Sequence, residues 1–202
     1  IVSLNLFSCK SINDDMIPVL LSCKRITKLA IQDTNITSHG MERLIKGLSK
    51  LIEIHLNTTA TDNVLKAISE SQIQIVDMDE CNLVTELGFY SLSLLPSLSV
   101  LRCTPCKYIG DEGIHHLHSL PNLTVMKLFD DYPSKMKCSI QCYELYRQHL
   151  DEDGRFNDFV TRCHFFKVLG ELVAIRKAII STPPLRHVEA SEVHDCSGFK
   201  LI

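Results

Sequence analysis

Hydrophobic residues return at a nearly constant interval along the first two thirds of this 202-residue chain. The first group begins at Ile1 and has the spacing IxxLxLxxCxxI. The spacing begins again at five later positions: Ile26, Leu51, Ile73, Leu98 and Leu123. The intervals between successive starts are 25, 25, 22, 25 and 25 residues. A repeat of this length predicts a solenoid of stacked units, because a single unit is too small to bury its own apolar face.

Each unit contains two kinds of hydrophobic period. In the first segment apolar and polar residues alternate, as in Leu4, Asn5 and Leu6, and this predicts a short strand with one buried face. In the second segment apolar residues recur three positions apart, as at Ile114 and Leu117, and this predicts a helix or a helical turn. Residues able to accept a bond from an unpaired helix N–H lie near the predicted helix starts: Asp14, Asp62, Thr85 and Asp111.

One segment shows the repeat most clearly. Residues 98–123, LSVLRCTPCKYIGDEGIHHLHSLPNL, follow the grammar LxxLxLxxCxxIxDxGLxxLxxLxxL. This pattern resembles the cysteine-containing subclass of the leucine-rich repeat family, and the resemblance covers about six units in residues 1–131. It implies an α/β solenoid, or horseshoe, with a parallel sheet on the concave face and helices on the convex face. The third unit is short, and other residues stand at the ladder position of the cysteine: Thr34, Thr59 and Asp131.

The repeat pattern ends after Asp131. Residues 138–150 and 156–181 have no strand alternation, but their apolar residues have helical spacing, so we expect two amphipathic helices. Leu185 and Val188 then return to the strand spacing. The predicted organisation has three parts: repeats in 1–131, a helical insertion or cap in 132–184, and a possible further repeat strand with a tail in 185–202.

Composition and charge narrow the functional classes. The chain is 45% hydrophobic and 22% charged, with a formal net charge of -3, so no basic excess favours a nucleic-acid partner. No stretch approaches the roughly 18 uninterrupted apolar residues of a membrane span, and we expect no membrane association. The chain opens at Ile1, without Met, directly on a predicted strand, which leads us to expect a fragment or an excised domain.

Cysteine usage favours a reducing compartment. The nine cysteines are odd in number and scattered, unlike the dense framework of small secreted domains, so we expect a cytoplasmic or nuclear protein. Three N-x-S/T triplets, at Asn35, Asn57 and Asn122, would be glycosylation acceptors in a secreted chain. Turns rich in Ser, Thr and Asn also produce such triplets by composition, which favours an intracellular protein. An extracellular receptor fragment is therefore only the third alternative.

The pair Cys103 and Cys106 has the CxxC spacing of redox and zinc sites. The repeat register offers a simpler explanation. Cys103 falls at a position that points into the core, and Cys106 falls, like Cys9 and Cys81, on a ladder that we expect to bond the turn backbone of the next unit. We therefore interpret both cysteines as structural.

No other residue group predicts chemistry. Cys138, Cys142, Cys163 and His164 match no common zinc spacing, and the acidic run 151–154 is better interpreted as a turn than as a calcium loop. We expect the histidines near the start of one helix to face water on the convex side: His115, His116 and His118. No nucleophile–base motif or phosphate loop occurs, so we predict no enzyme, no cofactor and no metal.

The strand residues that alternate with the buried ones should form the concave surface. By register they are Ser3, Asn5, Phe7, Lys28, Ala30, Gln32, Glu53, His55, Asn57, Ile75, Asp77, Asp79, Val100, Arg102, Thr104, Val125, Lys127 and Phe129. The middle of this surface is acidic, and its last two units are basic. The predicted partner-binding residues are His55, Asp77, Asp79, Arg102, Lys127 and Phe129, with a cationic and aromatic cluster formed by the last three.

These patterns predict a protein–protein interaction module that binds a protein on its concave face. Proteins that resemble this subclass are often substrate receptors of ubiquitin ligases, which implies a substrate-recognition or adaptor subunit whose partner is a ligase scaffold or a substrate. No F-box or other adaptor motif is visible in these residues, so that role follows from the resemblance alone. The alternative is a structural or assembly subunit that contacts partners through the C-terminal helices, which exposed Phe165, Phe166 or Val173 would favour.

Overall fold

Among the described residues, six short parallel strands form one sheet in the order in which they occur along the chain. A computed structural model describes residues 1–78, 80–104, 108–128 and 137–181. The strands are β1 (Ser3–Asn5), β2 (Lys28–Ala30), β3 (Glu53–His55), β4 (Ile75–Asp77), β5 (Val100–Arg102) and β6 (Val125–Lys127). The pairings align Leu4, Leu29, Ile54, Val76, Leu101 and Met126 in one row. The predicted strands and their register are confirmed.

Helices connect the strands and pack on one another in the same sequence. They are α1 (Ile17–Ser22), α2 (Ser38–Gly47), α3 (Asp62–Ser69), α4 (Glu86–Leu92), α5 (Asp111–His116), α6 (Ile140–His149) and α7 (Phe159–Ser181). A 3-10 turn (Asp14–Met16) precedes α1, and another (Leu117–Ser119) follows α5. Each of α1 to α4 contacts the next helix, and α7 packs on both α5 and α6. The two helices predicted in 138–150 and 156–181 are confirmed as α6 and α7.

The core lies between the sheet and the helix layer. The central strand residues Leu29, Ile54 and Leu101 are fully buried, and they belong to one cluster with Leu65 of α3 and Phe89 of α4. Burying one such side chain contributes about 1.5–3 kcal/mol. The neighbouring residues in β3, β5 and β6 stay half-exposed. One face of the sheet is therefore covered by helices and the other is open.

Acidic residues in alternate units connect one helix to the next. Asp14 accepts bonds from the backbone N (2.9 Å) and Oγ1 (2.6 Å) of Thr37, the N-cap of α2. Asp62 accepts the same two bonds from Thr85, the N-cap of α4, each at 2.7 Å. The predicted capping acids thus hold the cap residue of the following unit.

A second set of bonds joins the turns that follow the strands. The Asn57 side chain donates to the carbonyl oxygens of Thr34 (2.8 Å) and Ile36 (3.2 Å), and Cys81 Sγ donates to the carbonyl oxygen of Asn57 (3.3 Å). These bonds run to the preceding unit, so the predicted direction toward the next unit is wrong. Asn57 is only 2% exposed, and Thr104 is 7% exposed, so neither residue lies on the open face as predicted.

The outer edge of β6 is covered by an antiparallel segment. Met126 N donates to Gly154 O (2.7 Å), and Phe156 N donates to Thr124 O (3.1 Å). Tyr146 of α6 adds a bond from its hydroxyl to Met126 O (2.9 Å). The predicted turn in 151–154 is confirmed, because Asp151 Oδ1 accepts bonds from the backbone N–H groups of Asp153 (3.0 Å) and of Arg155 (2.8 Å), the residue that follows the turn.

Arg162 fixes the first turns of α7 to the repeat units. It is 8% exposed, and its Nη1 donates to Leu120 O (2.6 Å), Pro121 O (3.1 Å) and Leu123 O (3.2 Å).

Within the described ranges, no helix combines the length and the hydropathy needed to cross a membrane. The predicted boundary at 131 stays a prediction, and the strand predicted in 185–202 lies outside the described residues.

Candidate functional site

The open face of the sheet carries two rows of side chains. The open face is defined here by the six described strands, each of which contributes one residue to each row. The first row is Ser3, Lys28, Glu53, Ile75, Val100 and Val125, and the second is Asn5, Ala30, His55, Asp77, Arg102 and Lys127. Because these strands are in register, side chains that lie about 25 residues apart in sequence become direct neighbours.

His55 lies at the centre of a charged network on the open face. Its Nε2 lies 2.7 Å from Glu53 Oε1, and its Nδ1 lies 3.3 Å from Asp77 Oδ2. Lys28 Nζ lies 2.7 Å from the same oxygen of Glu53, and Gln32 Nε2 lies 3.3 Å from His55 Nδ1. The network therefore spans β2, β3 and β4.

The network shifts the pKa values of two of its members. The hydrogen bond to Asp77 raises the pKa of His55 above its ordinary value, against the effect of partial burial, and the bond to Glu53 adds to the increase. Partial burial works to raise the pKa of Glu53, but hydrogen bonds from Lys28 and His55 outweigh it and lower that pKa. When His55 is protonated, the positive charges of Lys28 and His55 balance the negative charges of Glu53 and Asp77.

Asp77 is less accessible than its predicted role requires. It is 8% exposed, its Oδ2 faces His55, and its Oδ1 is buried and has no hydrogen-bond partner among the described residues. A buried carboxylate oxygen without a donor is energetically unfavourable. Asp77 is therefore placed to hold His55, with little surface left for direct contact.

Arg102 and Lys127 continue the second row beyond Asp77. Both are half-buried. Arg102 makes no ion pair or side-chain hydrogen bond with any residue that the structure describes, although Asp77 is its neighbour in register. Two other predicted site residues, Asp79 and Phe129, lie outside the described residues.

Apolar side chains flank this cationic end of the open face. Ile75, Val100 and Val125 are aligned in the first row and are half-buried. They lie two residues before Asp77, Arg102 and Lys127 in the same strands, which corresponds to about 7 Å along a strand. In β5 and β6, apolar and cationic side chains therefore lie side by side.

Of the candidate cysteines, Cys103 and Cys142 are buried, Cys138 is half-buried and Cys163 is exposed, and Cys106 lies outside the described residues. Cys103 points into the core, as predicted, and is 1% exposed. It is also disulfide-bonded, which the interpretation of a plain buried thiol did not include. Burial raises the pKa of Cys138 to about 12 and raises that of Cys142 further, so both thiols stay protonated at neutral pH. Among the described residues, no group of three or more His, Cys, Asp or Glu side chains could hold a metal ion.

The histidines of the α5 region are only partly exposed to water. His118 is exposed, as predicted, but His115 and His116 are half-buried. A methyl group on Gly170 of α7 would come within 2.7 Å of His115 Nε2, which shows that α7 lies over His115. Burial, together with the neighbouring histidines, lowers the pKa of His115.

Sequence reasoning missed several residues that shape the molecule. Arg162 had a visible signal, because it stands four and seven positions before Phe166 and Leu169 on the apolar side of a predicted helix. The rings of His149 and His164 stack, and His149 Nε2 lies 2.8 Å from His164 Nδ1. No pattern in the sequence indicates that contact.

Neither a scan against protein-family models nor a search of the curated proteins finds a match to this chain.

Proposed function

We propose that this chain is a leucine-rich-repeat solenoid whose open face binds another protein. The support is the unit spacing, the strand order and the register, together with the resemblance to the cysteine-containing subclass. In a stack of this kind each unit contacts only its neighbours, so one face of the sheet remains available along its whole length.

One observation carries the binding proposal. The open face presents exposed or half-exposed side chains in two regular rows, apart from Ala30 and Asp77, which are buried, whereas the central residues of β2 to β6 on the other face are buried under the helices. The backbone groups beneath these rows are already paired within the sheet. Such a surface offers fixed side chains at low entropic cost, which favours recognition of a protein partner.

The pathway rests on resemblance. Proteins with this repeat grammar often serve ubiquitin ligases, so we propose a substrate-recognition or adaptor subunit that acts inside the cell. Six cysteines are free thiols among the described residues, which fits a reducing compartment. The disulfide at Cys103 does not add support to that part of the proposal.

The experiment compares two charge-reversal pairs. The full-length protein is purified from cells as wild type, as Arg102→Glu/Lys127→Glu on the open face, and as Lys46→Glu/Lys66→Glu on the helical side. Lys46 and Lys66 are exposed on α2 and α3, so the second pair makes the same change in net charge. We expect the open-face pair alone to lose specific co-purifying proteins.

Two results would contradict the proposal. One is recovery of the same partners with the open-face pair as with wild type. The other is an equal loss with both pairs, which would assign the effect to net charge. Circular dichroism on each variant shows whether the fold is retained.

The alternative is a structural or assembly subunit that uses the C-terminal helices. The residues expected to carry it are buried: Phe165 is 0%, Phe166 6% and Val173 9% exposed. The end of α7 favours it instead, since Ile175 (58%) and Ile179 (68%) are exposed one helical turn apart. Loss of partners in Ile175→Glu/Ile179→Glu, with no loss in the open-face pair, would support this function.

The third alternative is an extracellular receptor fragment. In the folded chain Asn57 is buried, and the side-chain amides of Asn35, Asn57 and Asn122 all donate to backbone carbonyl oxygens of the preceding unit. These bonds account for the triplets without glycans. Mass spectrometry of glycans at Asn35 or Asn57 decides between the two explanations.

A further inference from the structure

The two halves of the open face differ in how their charges are balanced. In β2, β3 and β4, Lys28, Glu53, His55 and Asp77 contact one another. In β5, Arg102 has no ion pair or hydrogen-bonded side chain among the described residues. The acidic side chains of Glu53 and Asp77 thus already contact His55. The next strand presents a guanidinium with five N–H donors, none of which bonds to a described residue.

Asp77 does not neutralise Arg102, and the geometry explains why. One oxygen of Asp77 faces His55, and the other is buried and has no hydrogen-bond partner among the described residues. Asp77 and Arg102 form no ion pair, so neither carboxylate oxygen of Asp77 lies within 4.0 Å of a guanidinium nitrogen of Arg102. The positive charge at Arg102 therefore remains available to a group from outside the chain.

Apolar surface lies beside this charge. Val100 precedes Arg102 by two residues in β5, so their side chains lie on the same face about 7 Å apart along the strand. Ile75 and Val125 extend the apolar surface to both sides of Val100. Residues i and i+2 of an extended peptide have the same separation.

We propose that the open face receives an acidic segment of a protein partner, with a carboxylate on Arg102 and an apolar side chain on Ile75, Val100 and Val125. The inference rests on the proposed function and adds the chemistry of the partner. Charge complementarity carries it, because a planar guanidinium binds a carboxylate through two parallel bonds. A basic segment would instead meet Arg102 as a like charge, with Glu53 and Asp77 already paired.

The test uses random linear peptides displayed on phage, about ten residues long, which in extended form exceed the separation of about 7 Å between the two rows of the open face. The library is selected on the full chain, and recovered peptides are synthesised with a fluorescent label. Their Kd is measured by anisotropy on wild type and on four variants: Arg102→Glu, Arg102→Lys, Val100→Asp and Lys46→Glu. Lys46→Glu controls for the change in net charge on the helical side.

We expect recovered peptides to carry Asp or Glu two residues from an apolar side chain. Arg102→Glu should weaken them at least about tenfold, which corresponds to about 1.4 kcal/mol, and Arg102→Lys should weaken them less. Replacing the peptide carboxylate with Lys should restore binding to Arg102→Glu. Such restoration cannot result from loss of folding, since the same variant then binds.

The remaining outcomes overturn the inference, and two of them distinguish it from the proposed function. Basic or uncharged peptides that lose affinity on Val100→Asp would refute the acidic partner and leave binding on the open face in place. Acidic peptides that bind Arg102→Glu and Val100→Asp as tightly as they bind wild type would refute both the acidic partner and the proposed binding on the open face. Failure to recover any peptide that prefers this chain would also count against the inference.

Discussion

Gly154 has a left-handed backbone conformation and accepts a hydrogen bond from the edge strand β6. It has φ of +75°, and a methyl group at this position would come within 2.7 Å of backbone atoms of Met126 and Lys127. A side chain would meet both a left-handed conformation and a fixed strand. We expect Gly154→Ala to lower the free energy of unfolding by about 1–3 kcal/mol, as measured by urea denaturation.

Gly110→Ala is the matched control for Gly154→Ala. The φ of Gly110 is −96°, and its added methyl group would come within 2.9 Å of the Oε1 end of the Glu86 side chain and would meet the Lys137 side chain at an ordinary contact distance of 3.6 Å. Because the Glu86 side chain can move, the cost should stay below about 1 kcal/mol. Equal losses in the two variants would show that the conformation of Gly154 is not the cause.

His55 gives the stability of the fold a defined pH dependence. Its pKa in the folded chain is raised above the ordinary value of 6.5, so the folded state binds the proton more tightly than the unfolded state does. Its contribution is therefore complete below about pH 6.5 and is lost as the pH rises through the raised pKa. We expect the difference in unfolding free energy between wild type and His55→Gln to shrink as the pH rises above 6.5 and through the raised pKa.

Urea denaturation at several pH values measures this difference, and His39→Gln is its control. His39 is exposed on α2, so its replacement should give a nearly constant difference. The series should stay above about pH 5, since Glu53, whose pKa is lowered from 4.5, loses its own contribution as the pH falls. A His55→Gln difference that grows with pH would reverse the proposed sign.

The strand residues show both the reach and the limit of the alternation argument. Leu29, Ile54 and Leu101 were predictable as buried, because period two holds within each strand. Each strand is only three residues long, so the chain turns immediately afterwards and the period no longer applies. Asn57 and Thr104 lie just past that point, and both are buried.

At the scale of elements, α7 depends on one buried cation. Arg162 donates to three carbonyl oxygens around Leu120, where the turn after α5 leads into β6. Arg162→Met would keep much of the apolar volume but leave these oxygens without their charged donor. We expect a loss of about 2–4 kcal/mol in the free energy of unfolding, measured by urea denaturation.

Arg155→Met is the matched control for Arg162→Met. Arg155 is exposed and pairs with the exposed Asp153 at 2.9 Å. An ion pair in water contributes little, so this variant should change stability by at most about 0.5 kcal/mol. A comparable loss in both variants would mean that the charge itself, and not the buried bonds, is responsible.

The elements after β6 were only partly predictable. Helical spacing located α6 and α7, but their partners depend on contacts between distant residues. Asp111 Oδ1 accepts a bond from the backbone N of Ser139 (2.7 Å), and Oδ2 accepts one from its Oγ (2.6 Å), as Asp14 does with Thr37. The helix α6 is therefore connected to α5 in the same way that α2 is connected to the 3-10 turn before α1. No local period in the sequence indicates a bond across 28 residues.

At the scale of the whole molecule, the two ends of the sheet should differ in stability. The outer edge of β6 is bonded by Gly154 and Phe156, whereas β1 pairs with β2 alone among the described strands. Amide hydrogen exchange reports such local openings, and we expect β1 to exchange at least about tenfold faster than β6. Tyr146→Phe removes the hydroxyl that bonds to Met126 O and Leu128 N. We expect this variant to speed exchange in β6 and to leave exchange in β3 unchanged. Tyr90→Phe, on the exposed side of α4, is the control and should change exchange in neither strand. Equal protection at the two ends would show that the segment after α6 does not stabilise the sheet.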